Sequence, residues 1–532
     1  VFSDLRWKNE NFAVTLQVEN TMRIMAKTSL LILIIYFFSG CASGNKITRT
    51  PHARISHAHD IQPITGKQAL TNALNTILQD SMLAATTTGI KVVRISDGEV
   101  LFQQNSNKLF HPASNMKLFT AAMALLHLGP EYRFATSVAL DSAIVLADTL
   151  RGDIYLVGTG DPSFDSGDLA DIVQSLHSKG IRYVSGNVIC DDTYLDDMRY
   201  GQGWMWDDQP STDASPIGAL TINLNKIEIF VQPGDIGSPA KIRSMPQTKY
   251  IQILNESVTI DSAEFKRLSS DTLAAYAPFS LIRRWQEQNN IFDAKESIVA
   301  GGDERRIVMN IVAPARYFGT LFREACERAG IRMAGQVVHG AAPENAFPIA
   351  VHESKPVGIL VANMNKPSNN LYAELFLKAA GAYVKGKPGT AQKGKEVLNE
   401  TLVGWGIDAN KIRFSDGSGV SRYGLLSPEV IISLLTNIYQ NFSIRNEFIA
   451  SLPIAGVDGT LANRMKGMAA ERIVHAKTGT LSGVCTLSGY TTSRDSDVLA
   501  FSIMMSHFVG SARPFRDVQD RICDVLTRYL DR

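Results

Sequence analysis

Apolar residues change their period several times along the chain, and each change predicts an element. Leu30 to Phe38 is continuously apolar, with Arg23 and Lys27 before it and Ser39-Gly40-Cys41-Ala42-Ser43 after it. Basic, apolar and small residues in that order form the layout of an export signal, and the run is too short to cross a bilayer comfortably as a mature helix. The residues before Met22 include Trp7, Glu10 and Glu19, which do not fit the basic end of such a signal, so the natural start is expected at Met22 or Met25. From 45 to 66 the chain is polar, without apolar periodicity, and reads as a tether. A helical period then covers Lys67 to Leu83. Gly89 to Ile95 and Val100 to Gln104 are short β-rich runs around Ser96-Asp97-Gly98, which is hairpin chemistry.

Pro112-Ala113-Ser114-Asn115-Met116-Lys117 opens the next helix and Gly129-Pro130 closes it. Within it Met116, Phe119, Ala122, Met123 and Leu126 recur at three- and four-residue steps, and Leu118 and Leu125 widen the apolar surface. A buried helix is therefore predicted, with Ser114 in its first turn. From about 136 to 350 the pattern shifts to short β-rich runs such as Ile154 to Gly158, Tyr183 to Cys190, Ile227 to Gln232 and Ile307 to Val312, separated by Gly, Pro and Asp. This stretch reads as a mainly β insert. Beyond it, Ile473 to Lys477, Val484 to Thr491 and Val498 to Met505 predict an antiparallel meander, and Arg513 to Leu530 a closing helix.

Composition narrows the class without changing that outline. The chain has 532 residues, 45% hydrophobic and 20% charged, which is a globular profile long enough for two or three domains or for one large domain with an insert. Lys+Arg number 53 against Asp+Glu 52, so no electrostatic case exists for a nucleic-acid partner. Cys190, Cys326, Cys485 and Cys523 are scattered without metal-ligand spacing, and buried free thiols are the favoured reading.

Three short motifs carry the chemistry: Ser114-Asn115-Met116-Lys117, Ser368-Asn369-Asn370 and Lys477-Thr478-Gly479. Each alone is weak, since an S-x-x-K is most often an ordinary helix start and a strand-end lysine an ordinary solvated charge. Their settings add weight: a helix start after a hairpin, a loop before the helix-like Leu371 to Ala380, and a strand end in a meander. Ser114 and Lys117 stand three apart on a helix and share a face, so the lysine can take the serine's proton if desolvation and nearby positive charge depress its pKa. Lys477 could help to supply that charge, and the helix N-terminus favours negative charge developing at Ser114.

Together these motifs resemble the signature of the penicillin-recognising serine enzymes, which comprise D,D-peptidases and serine β-lactamases. The segments Asp416-Gly417-Ser418-Gly419-Val420-Ser421-Arg422, Leu452 to Leu461 and Lys477 to Val484 are similar to one branch of them. So are Gly158-Thr159-Gly160-Asp161-Pro162-Ser163-Phe164 and Trp204-Met205-Trp206-Asp207-Asp208 within the insert. That branch is the D-alanyl-D-alanine carboxypeptidase/endopeptidases, the class C low-molecular-mass penicillin-binding proteins, and the similarity runs from about Lys67 to the C-terminus.

The resemblance implies an α/β (α+β) fold, a β-lactamase/transpeptidase-like catalytic domain whose antiparallel sheet is flanked by helices, carrying the large mainly β insert. The expected layout is 1–44 upstream segment and signal, 45–66 tether, 67–135 and 351–532 catalytic domain, and 136–350 insert. It also implies Ser114 as nucleophile with Lys117 as base, Ser368 as proton shuttle to the leaving D-alanine nitrogen and Asn370 holding a substrate amide. Lys477, Thr478, Gly479 and Thr480 would form the substrate-binding segment, with Lys477, Thr478 and Thr480 receiving the substrate's terminal carboxylate. Backbone N–H groups of Ser114 and Thr480 would form the oxyanion hole, without metal or cofactor. Asp416, Ser418 and Arg422 read as structural. Peptidoglycan stem peptides are the implied substrates and β-lactams the implied inhibitors. Phe38-Ser39-Gly40-Cys41 resembles a lipobox, with Phe where an aliphatic residue is usual. Lipidation of Cys41 would hold a periplasmic enzyme to the membrane, whereas plain cleavage near Ala42 would leave it free. A serine β-lactamase and a non-catalytic wall-binding protein of the same fold are the alternatives.

Overall fold

The computed structural model describes residues 62–141, 144–270 and 277–531. The export signal, Cys41 and most of the tether lie outside the described residues. Within the segment read as tether, Ile64–Thr65 pairs in parallel with Tyr529–Leu530, and Arg528 donates to the Gln62 carbonyl. The helix expected over 67–83 stops at Leu78, and the Asp80 side chain accepts from Met82 N to hold a separate turn at Ser81–Leu83.

A five-stranded antiparallel sheet runs in the order His475–Leu481, Val484–Thr492, Val498–Ser506, Thr87–Arg94, Val100–Gln104. Its two faces follow from the period of two along each strand. On Val498–Ser506, Leu499, Phe501, Ile503 and Met505 point to one side and Ala500 and Met504 to the other. The first side is covered by the helices Lys67–Leu78 and Arg513–Arg528, the latter presenting Phe515, Val518, Ile522 and Leu526 at helical spacing. The second side meets a helical layer that includes Met116–Met123, Val357–Asn365, Asn370–Lys385 and Pro428–Gln440, packed through Phe119, Leu360, Phe376 and Leu434.

The chain leaves this core on the strand Ala135–Leu140 and returns on Phe347–Glu353, and these two strands pair with each other. Between them lies a second hydrophobic core. Strands predominate there, and two helices that the strand-rich sequence pattern concealed cover its five-stranded sheet. Ser166–Ser178 and Pro314–Arg328 contribute Leu169, Ile172, Phe318 and Phe322, and the first of them lies in the chain between Ile154–Gly158 and Val188–Asp191, which pair in parallel. Among the described residues no helix is long and apolar enough to cross a membrane, and Cys190, Cys326, Cys485 and Cys523 are buried free thiols.

Candidate active site

Ser114 sits in a 3-10 turn, Ala113–Asn115, that runs directly into the buried helix Met116–Met123. The turn is pinned to the sheet's edge. Asn115 Nδ2 donates to the Lys477 carbonyl at 2.8 Å, its Oδ1 accepts from Ser488 Oγ at 2.7 Å, and Thr486 Oγ1 donates to the Pro112 carbonyl at 3.0 Å. Ala113 adopts φ 47°, a strained value for a residue with a Cβ, and neighbouring packing holds it there. Gly419, at φ 83°, lies so near that a Cβ on it would stand 1.9 Å from the Ala113 carbonyl oxygen. On the other side a Cβ on Gly479 would meet Thr486 Oγ1 at 2.2 Å and Ser114 N at 2.9 Å, so only glycine lets the edge strand pass this close.

The three motifs meet at two buried lysines. Lys117 Nζ donates to Ser114 Oγ at 3.0 Å, to Asn370 Oδ1 at 2.6 Å and to the Ser418 carbonyl at 2.7 Å. Burial pushes its pKa down to about 8, against the opposing pull of Asp416, Glu374 and Asp213. Lys477 Nζ donates to Ser368 Oγ at 2.8 Å and to the Thr478 carbonyl at 2.9 Å. Its burial, and after that the charge of Lys117, hold it well below the ordinary lysine range. Ser368 takes φ 64°, just before Asn369, whose side chain caps the helix Asn370–Lys385 by accepting from Tyr372 N. The middle residue of that motif therefore builds the helix start, which sets Ser368 and Asn370 toward the lysines.

Lys477 is not at a strand end, as its sequence setting predicts. It is third in the strand His475–Leu481, because pairing with Val484–Thr492 continues unbroken from His475↔Tyr490 to Leu481↔Val484. Thr478, Gly479 and Thr480 follow along the edge and line a cavity of about 480 Å³ together with Ser114, Ser368 and Asn370. Thr478 Oγ1 donates to Thr460 Oγ1 at 2.7 Å, and Thr480 Oγ1 accepts from Arg516 Nη2 at 3.1 Å.

Asp416 organises the loop behind Lys117. It accepts from Ser418 Oγ, Gly419 N, Ser421 N and Trp204 Nε1, while Arg422 reaches the Ser482 carbonyl. Three participants receive no role in the sequence reading. Asn115 stands inside the first motif but acts as the clamp. Asp213 offers its carbonyl to Asn370 Nδ2 at 2.8 Å. Glu374 accepts from Gly417 N and Ser418 N. Only Glu374 leaves a signal in sequence, as an acid within the apolar run Leu371 to Ala382. Among the described residues no group of His, Cys, Asp and Glu is arranged to hold a metal ion.

A buried lysine in contact with a half-exposed serine, at the floor of a polar cavity beside a free sheet edge, can activate the hydroxyl for attack on an acyl carbon. A D-alanyl-D-alanine carboxypeptidase of Actinomadura sp. (strain R39) is 34% identical over 470 residues, 86% of this chain and 84% of that protein. The crystal structure of penicillin binding protein 4 from Haemophilus influenzae matches 86% of this chain and 99% of its own at 25% identity, with a TM-score of 0.74. The structure of that protein complexed with a novel β-lactam matches 84% and 97% of the respective chains at 24% identity, with a TM-score of 0.69. The model of the D-Ala-D-Ala carboxypeptidase 3 (S13) family matches residues 70–529, and the chain belongs to that family.

Proposed function

We propose that the chain is a serine-type D-Ala-D-Ala carboxypeptidase, with D,D-endopeptidase activity on cross-linked stems, that acts on peptidoglycan stem peptides outside the cytoplasm. The observation that carries this reading is the 3.0 Å contact of Lys117 Nζ with Ser114 Oγ in a site that excludes water from the lysine. As Ser114 Oγ bonds to the carbonyl carbon of the penultimate D-alanine, its proton passes to Lys117 Nζ. The developing oxyanion is received by the N–H groups of Ser114 and Thr480. The C–N bond then breaks as Ser368, with Lys477 behind it, relays the proton held on Lys117 to the departing D-alanine nitrogen, and water later hydrolyses the acyl-enzyme, its one proton returning to Ser114 Oγ and its hydroxyl going to the acyl carbon. Thr478 and Thr480 receive the terminal carboxylate, and a β-lactam enters the same first step and stays bound. The insert brings Asp213 and Trp204 to the site, which supports a peptidase rather than a β-lactamase. Digestion of pentapeptide stems and cross-linked stem dimers, read by mass spectrometry, tests this. Loss of one D-alanine and cleavage of the cross-link are expected, and folded protein that does neither contradicts the reading.

Cys41 is the proposed point of lipid attachment, on the strength of the Phe38-Ser39-Gly40-Cys41 pattern. Full-length protein should then partition with membranes and Cys41→Ser should not. Wild-type protein that stays in the soluble fraction would favour cleavage near Ala42.

A further inference from the structure

Glu374 stands on the helix Asn370–Lys385, one turn beyond Asn370, and is completely buried. Its helix neighbours Leu371, Leu375, Phe376 and Leu377 are packed core residues, so nothing in the local packing calls for an acid. Its Oε1 accepts from Gly417 N at 3.0 Å and Ser418 N at 2.8 Å, while Oε2 has no hydrogen-bond partner. The two residues held in this way turn their own carbonyls to the nucleophile's helix, and Asp416 holds the N–H of Gly419 in the peptide unit that contains the Ser418 carbonyl. The Ser418 carbonyl accepts from Lys117 Nζ at 2.7 Å and the Gly417 carbonyl from Thr120 Oγ1 at 2.6 Å. Close packing leaves this loop no alternative path: a Cβ on Gly417 would stand 2.6 Å from the Ala373 carbonyl oxygen.

A buried carboxyl with one oxygen unsatisfied is costly to keep, and a chain of contacts links it to the lysine that touches Ser114. We infer that Glu374 is a positioning residue for acyl transfer, which seats the Ser418 carbonyl on Lys117 and whose charge helps to set the pH at which Lys117 becomes a base. The inference rests on the reading of Ser114 and Lys117 as nucleophile and base.

The surrounding charges agree with it. Burial and then Asp416 hold the Glu374 carboxyl above the ordinary range, so it changes charge closer to working pH than a surface glutamate would. Lys117 is faced by Asp416, Glu374 and Asp213, which favour its protonated form, and by the buried Lys477. On Glu374's own helix the next cation, Lys378, is paired with Asp196 at 2.5 Å and contributes little net field.

The test is the rate at which benzylpenicillin acylates the wild type, E374Q and E374A, followed across the pH range in which each stays folded. Glutamine keeps an oxygen for the two N–H groups but has no charge. Removing an anion lowers the pKa of a nearby lysine, so the E374Q limb should move to lower pH by about one unit. Alanine leaves both N–H groups unpaired, so E374A should lose about tenfold or more at every pH, and E374Q should recover most of that loss. An E374Q limb at the wild-type pH overturns the charge role, even if E374A does not fold. A folded E374A as fast as E374Q overturns the positioning role. A wild type that is not acylated at Ser114 removes the reading beneath, a result distinct from both.

Discussion

A lysine removed from water and placed 3.0 Å from a serine hydroxyl is useful only while it is neutral. With its pKa lowered to about 8 by burial, Lys117 loses its proton as pH rises through that value. Protonated Lys117 cannot accept the serine proton, so acylation by penicillin should climb with pH through about 8 and fall away below it. Lys117→Ala should remain folded and acylate about a hundred- to ten-thousand-fold more slowly. A pH-independent rate, or an unchanged one, would reassign the base. Thr480 offers a second test at this scale. Arg516 donates to its hydroxyl, which leaves the Thr480 O–H free to donate to a carboxylate. Thr480→Val keeps the volume and should weaken reaction with stems ending in free D-alanine about ten- to a hundred-fold more than with amidated stems, the effect of losing one hydrogen bond to a charged group. Equal losses on both would withdraw the carboxylate role. The motif residues were legible because Ser114 and Lys117 must stand three apart to touch, and such spacing survives in a linear sequence. The parts of Glu374, which shows only as an acid among apolar residues, and of Asp213 were not, because their partners lie 43 and 157 residues away and only the folded chain joins them.

Elements were legible wherever a period ran uninterrupted. The meander and the closing helix show the alternation and the three-to-four spacing that bury one face. Their ends were less legible, because hydrogen bonding and not hydropathy fixes them. The polar residues Thr478 and Thr480 look like the close of a strand, yet the edge pairing runs on to Leu481. The role of Gly479 belongs to this scale, since it lets a strand lie against the turn that carries Ser114. Gly479→Ala places a methyl 2.2 Å from Thr486 Oγ1 and 2.9 Å from Ser114 N, so the strand and the turn must separate. The variant should lose about 1–3 kcal/mol of stability from overpacking. Its acylation should slow by up to about a hundredfold, as expected for a misplacement approaching 1 Å. Thermal melting and penicillin acylation of the same preparation check both, and wild-type behaviour in both would show that the contact is not close.

Across the whole molecule, two cores share one site. The segment between Ala135–Leu140 and Phe347–Glu353 has its own interior, yet it sends Asp213 to Asn370 and Trp204 to Asp416 at 2.9 Å. The segment's part in the site did not follow from any pattern in the sequence, because those contacts cross more than 150 residues of chain. Trp204→Phe keeps the aromatic packing and removes one hydrogen bond to a carboxylate, which still has Ser418, Gly419 and Ser421. A stability loss of about 1.5 kcal/mol is expected, seen as a lower urea midpoint at constant slope. An unchanged midpoint would mean that the contact adds nothing. Lys117 contacts the Ser114 hydroxyl and the sheet edge passes against the same turn, so the most direct measurement is the mass of the intact protein and of its peptides after exposure to benzylpenicillin. One penicilloyl adduct on the peptide containing Ser114, absent from Ser114→Ala, is the predicted result. An adduct on another residue, or none on folded wild-type protein, would contradict the assignment of Ser114 as the nucleophile.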